Sequence, residues 1–129
     1  MSTALATYLE VIWSEEDVPT VIEAHEKFIS VATNEDVPRL ATALKSDRNN
    51  FWTRELISEP LAILGGADYL PELFDALEKN DAEGHDSDSL THFLTEIASM
   101  NPDACREKLK DLKGSVYAKH VEWLLDFCK

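Results

Sequence analysis

The groups best suited to chemistry in this 129-residue chain are carboxylates and histidines, and their spacing decides what they can do. Asp81-Ala82-Glu83-Gly84-His85-Asp86-Ser87-Asp88 opens with the alternating carboxylates of a calcium loop. A calcium loop also needs glycine at its sixth position and a bidentate glutamate at its twelfth. Here glycine is fourth and His92 is twelfth, so the segment reads as a solvated, self-repelling acidic loop. His92 and Glu96 stand four apart on one helical face, and His25 lies beside Glu26. Neither histidine has a second one four residues on, so the paired-histidine zinc pattern is absent. His25 falls between Val21 and Phe28 on an apolar stripe, where a core histidine with one satisfied hydrogen bond is the commoner case.

Nucleophilic catalysis needs a base and an orienting group around the nucleophile. No Gly-x-Ser-x-Gly turn is present, Cys105 and Cys128 sit in helix-like segments without a catalytic frame, and four glycines in all leave no phosphate-binding loop. The residues point to a chain without catalytic, metal or cofactor sites. What remains is recognition. Trp52 and Arg54 open a long helix, and these two residue types dominate binding hot spots; the competing role is packing for Trp52 and pairing with a neighbouring carboxylate for Arg54. Glu72, Asp75 and Glu78 project opposite the apolar stripe Leu70, Leu73, Phe74 and Leu77. Arg39 and Thr42 hold the equivalent places in an earlier helix. The six candidates for partner binding are therefore Glu72, Asp75, Glu78, Arg39, Trp52 and Arg54.

Eight helical segments would position these residues, with no strand pattern. Two begin the chain, around Leu5, Leu9, Ile12 and Trp13 and around Val18, Val21, Ile22, Phe28, Ile29 and Ala32. Asp17 is placed to cap the second, with Pro19 in its first turn. A third follows Asn34-Glu35-Asp36. A fourth runs from about Phe51 to Leu64, through Pro60, which should bend it, and is stopped by Gly65-Gly66. The remaining helices centre on Leu70 to Leu77, Leu90 to Ile97, Cys105 to Leu112 and Val116 to Phe127.

Val37-Pro38-Arg39-Leu40-Ala41-Thr42-Ala43-Leu44 and Leu70-Pro71-Glu72-Leu73-Phe74-Asp75-Ala76-Leu77 share an apolar-Pro-x-Leu-x-x-Ala-Leu frame, offset by 71 − 38 = 33 residues. A period of that size signals stacked helix pairs. Arg54-Glu55, Pro60 to Gly66, the Leu-Pro frame and the closing Asp81 together resemble one repeat of the HEAT-like superfamily, best over residues 36–81. The resemblance implies an all-α, right-handed superhelical solenoid of antiparallel helix pairs, in one domain over 1–129, with second helices lining a concave face.

The net charge is −13. Ala104 onward carries six basic and four acidic residues, so Met1 to Asp103 carries −15. Such a surface repels nucleic acid phosphates and speeds encounter with a basic protein. No run reaches the roughly 18 to 20 apolar residues of a membrane span, and two unpaired cysteines suit reduced thiols in a cytoplasmic chain. By type the chain resembles the small acidic bacterial immunity proteins that cover a basic toxin such as a nuclease. The alternative is a scaffold or adaptor subunit. Both expect a protein partner and neither a membrane nor nucleic acid.

Overall fold

The computed structural model describes residues 3–14, 16–86 and 88–128, and every regular element among them is helical. In order they are α1 (Thr3–Trp13), α2 (Val18–Val31), α3 (Val37–Leu44), α4 (Phe51–Gly65), α5 (Leu70–Ala82), α6 (Asp88–Met100), α7 (Pro102–Leu112) and α8 (Ala118–Leu125), with short 3-10 turns at Asn34–Asp36 and Gly66–Tyr69. Several boundaries follow from local chemistry. Asp17 accepts the Thr20 amide at 2.9 Å and caps α2. Asn50 and Thr53 exchange side-chain-to-backbone bonds at 2.9 Å each way at the start of α4, which satisfies amides that no helical carbonyl can reach. Gly66 ends α4 at φ +60°, a backbone that glycine adopts without a Cβ penalty. The last helix starts later than its apolar pattern, because Val116 is 89% exposed and belongs to the turn before it.

The recurrent Leu-Pro frames begin equivalent helices. Pro38 and Pro71 lie in the first turns of α3 and α5, and Leu40 and Leu73, Ala43 and Ala76, and Leu44 and Leu77 are buried in both. Neighbours in sequence pack on each other: α1 on α2, α3 on α4, α4 on α5, α5 on α6, α6 on α7 and α7 on α8. Contacts also skip an element, joining α2 to α4, α4 to α6 and α3 to α5. The core is one apolar cluster running from Leu5 through Phe28, Ile57, Leu61 and Phe74 to Leu94, Leu109 and Leu124. The α2 stripe is narrower than its sequence suggests. Val21, Ala24 and Phe28 are buried, while Val18 and Ile22 stand 55% and 44% exposed.

Two polar side chains join the N-terminal hairpin and α3 to α4. Buried Asn49 donates through Nδ2 to the carbonyls of Ala43, Leu44 and Ser46 at the end of α3 and in the turn that follows it. Its Oδ1 accepts from Trp13 Nε1 at 2.7 Å and from Thr53 Oγ1 at 3.0 Å. Outside, Arg48 forks onto both oxygens of Glu10 at 2.9 Å and lies 4.5 Å over the Trp13 ring.

Pro60 sits within α4, buried. Proline has no amide hydrogen, so the carbonyl four residues earlier, Leu56, loses its helical donor. His25 of α2 supplies the missing bond, with Nε2 2.9 Å from that oxygen. The bond requires the proton on Nε2, and it makes the half-buried His25 the satisfied core histidine that its place on the stripe suggests.

Candidate functional site

The three carboxylates on α5 do not form a free wall. Asp75 accepts the Tyr117 hydroxyl at 2.8 Å, and Glu78 accepts His120 Nε2 at 2.6 Å while Lys119 Nζ stands 3.0 Å away. All three are half-buried, because α8 and the turn before it lie across this side of α5. The expectation that they project freely from the far side of α5 for a partner is corrected by the folding back of the C-terminal segment, which takes Asp75 and Glu78 as its own bonding partners. Nothing in the periodicity of α5 reports which distant helix covers it. On α3, Arg39 and Thr42 are exposed.

The α5–α8 junction is defined down to one proton. His120 is 4% exposed and stacks on Phe74, with ring centroids 4.9 Å apart. Trp123 Nε1–H donates to His120 Nδ1 at 3.0 Å, and an indole can only donate. Nδ1 is therefore bare, and Nε2 carries the hydrogen given to Glu78. Lys119 first and His120 second hold the Glu78 carboxyl below its ordinary value. Burial, then the Asp75 bond and the charges of Asp75 and Glu72, push the Tyr117 hydroxyl up to about 12. Both shifts favour the protonation states that bond.

Arg54 and Trp52 take the packing roles. Arg54 is 6% exposed. Its guanidinium forks onto Glu83 at 2.6 and 2.9 Å and donates to Asn80 Oδ1 at 3.0 Å. Asn80, fully buried, reaches the Phe51 carbonyl. The clamp ties the start of α4 to the end of α5, and the hydrogen bonds from Arg54, then its charge, lower the Glu83 carboxyl. The acidic loop is thus partly structural: α5 extends through Ala82, Glu83 serves Arg54, and the His85 ring stacks on Phe51 at 3.7 Å. Trp52 is half-buried against the core. His92 and Glu96 meet at 2.8 Å as an exposed pair. Among the described residues no group of three or more His, Cys, Asp or Glu is arranged to hold a metal ion. No helix among them is long and apolar enough to cross a membrane. Cys105 and Cys128 are free and buried, with burial and the neighbouring Cys128 thiol pushing Cys105 up to about 12.

One surface feature was not singled out from the sequence. Between α4 and α6 runs an open groove of ≈ 270 Å³, floored and walled by Ala62, Ile63, Phe93, Ile97 and Met100. Ile63 is 67% exposed and Met100 74%. Glu96 is the charged lining residue. No family model, curated protein or solved structure matches this chain. The site must therefore be read from its own chemistry. From Glu55 to Asp103 the sequence holds one Lys or Arg, Lys79, against twelve Asp and Glu. The only signal for the groove in the sequence was Ile63 and Met100 falling outside the buried spacing of their helices.

Proposed function

We propose that this chain is a non-catalytic protein-binding module, built as a right-handed stack of HEAT-like helix pairs, that neutralises a basic protein toxin such as a nuclease by covering it. The recurrence of buried Leu and Ala positions in α3 and α5, and contacts that skip one helix, support the stacked architecture. The observation that carries the function is the charge distribution: −15 over Met1 to Asp103, with most of these carboxylates exposed or half-exposed on a rigid helical surface. Such a field raises the encounter rate with a basic partner, and a preformed surface limits the ordering cost of capture. An inhibitor that must reach its target before the target reaches nucleic acid gains from both.

The test is affinity capture from source cells followed by an activity assay on the captured protein. The expected result is a basic protein, bound at low salt and released as ionic strength rises, whose activity falls when the purified chain is added. Steering is screened within roughly 8 to 10 Å at physiological ionic strength, so association should slow several-fold with added salt. Capture of acidic or neutral proteins alone, or of an enzyme whose activity is unchanged, refutes the reading.

A further inference from the structure

The groove between α4 and α6 has three properties that together select its occupant. It does not enclose what enters it. Small-molecule pockets span roughly 300 to 1,000 Å³ and bury most of their ligand, whereas this one, ≈ 270 Å³, is open to solvent. Its size and shape suit apolar side chains offered from outside. Its floor is apolar, and two of its large side chains, Ile63 and Met100, stand mostly in water. Gly66 at one end presents no Cβ, and the space where one would stand is empty to 4 Å. Met is unbranched and polarizable, which lets such a wall adapt to what enters.

The surroundings are predominantly negative. Glu96 lines the groove and Asp68 follows just beyond Gly66, while Glu59 faces His25 and Asp103 is paired with Arg106. The single guanidinium on α4, Arg54, is buried and held by Glu83, and α6 has no Lys or Arg. A second copy of this chain would bring the same carboxylates against these and be repelled. An acidic or neutral peptide would gain from the floor alone.

We infer that the α4–α6 groove is a docking site for a basic amphipathic helix, whose apolar stripe enters between Ile63, Phe93 and Met100 and whose flanking Lys or Arg side chains meet Glu96. This rests on the protein-binding reading above and places the contact on residues other than the α5 carboxylates that hold α8. A helix with anchors at i, i+3, i+4 and i+7 supplies a ridge of the width that a groove between two helices accepts. The site specifies the partner's chemistry as apolar residues flanked by positive charge.

The probe is a fluorescein-labelled synthetic peptide of about 18 residues, with Leu along one helical face and Lys beside it, compared with the same peptide carrying Glu in place of Lys. Binding is followed by anisotropy at low and high salt, and its place by amide shifts in ¹⁵N spectra. Shifts centred on residues 59–66 and 93–101, no binding of the Glu peptide, and affinity at least about tenfold weaker in the Ile63→Gln/Met100→Gln variant are expected. Glu96→Gln should lose affinity and part of its salt dependence. Ile63, Met100 and Glu96 are all exposed, so circular dichroism should match the parent. Failure of the Lys peptide to bind, shifts on another face, or unchanged affinity in the Ile63→Gln/Met100→Gln variant overturns the groove. If that variant still captures and inhibits the native basic partner, the groove falls and the inhibitor reading stands. If the groove takes the peptide but the chain captures no basic protein, the inhibitor reading falls and the groove stands.

Discussion

Pro60 and His25 act on one atom, and a double-mutant cycle can show it. In the parent, the Leu56 carbonyl has no helical donor and is served by His25 at 2.9 Å. Removing His25 deletes a bond with a net value of about 0.5 to 1.5 kcal/mol and leaves the carbonyl unsatisfied, a further loss within the range of about 1 to 3 kcal/mol for a buried orphan. Replacing Pro60 by Ala restores an amide hydrogen that closes the helical bond to Leu56. The same His25→Ala change should then cost less, because the carbonyl is no longer orphaned. We expect a coupling energy of about 1 kcal/mol, His25→Ala being the milder change in the Pro60→Ala background. Pro60→Ala alone should stabilise by less than the roughly 3 kcal/mol of an interior proline, since His25 already repairs part of that loss. Urea denaturation of the four proteins measures this, provided their slopes agree. Glu59 lies 3.5 Å from His25 Nε2, so Glu59→Gln serves as control and should leave the coupling intact. Costs for His25→Ala that agree within about 0.3 kcal/mol in the two backgrounds would show that the histidine does not serve the proline's carbonyl.

Leu73→Ala, at a fully buried position shared by the repeated frames, should destabilise by about 2 to 5 kcal/mol in the same urea assay. Glu78→Ala should strand the Nε2–H of buried His120, cost about 1 to 3 kcal/mol and alter the emission of Trp123, which shares that imidazole; unchanged fluorescence and stability would show that α8 is held without this bond. Glu78 and Glu83 have folded pKa values lowered from 4.5, so their contribution is present above 4.5 and is lost as pH falls through the lower folded values. Denaturation midpoints below about pH 5 should therefore decline, and the Glu78→Gln/Glu83→Gln variant should show a shallower decline.

Local signals were legible in the sequence and distant ones were not. Asp17, Gly65-Gly66 and the Leu-Pro frames act within a few residues of themselves, so the helix starts, the stop after α4 and the buried Leu positions of α3 and α5 follow from spacing alone. The sequence leaves Arg54 two possible roles, but its partner Glu83 lies 29 residues away, beyond any helical period. The α5 carboxylates were misread for the same reason: Tyr117 and His120 reach them from 42 residues on. A periodicity shows that a face is polar and says nothing of what lies over it. The groove is not legible because Ile63 and Met100 fall off the buried spacing of their own helices, and spacing alone does not bring residues of two helices to one surface. Pro60 was seen as a break in the hydrogen-bond ladder, and His25 as a core residue needing a bond; joining the two required the packing of α2 on α4.

Both native thiols are sealed inside the fold, Cys105 fully covered and Cys128 at 6% exposure. A thiol reacts through its thiolate, and a Cys105 value near 12 leaves almost none at neutral pH. To a maleimide Cys105 is thus silent, and burial shields Cys128. A single cysteine introduced at Met100, 74% exposed on the groove wall, would be the one fast-reacting position. A dye or spin label could then be attached without first removing the native cysteines, and it would report directly on whatever comes to rest between α4 and α6.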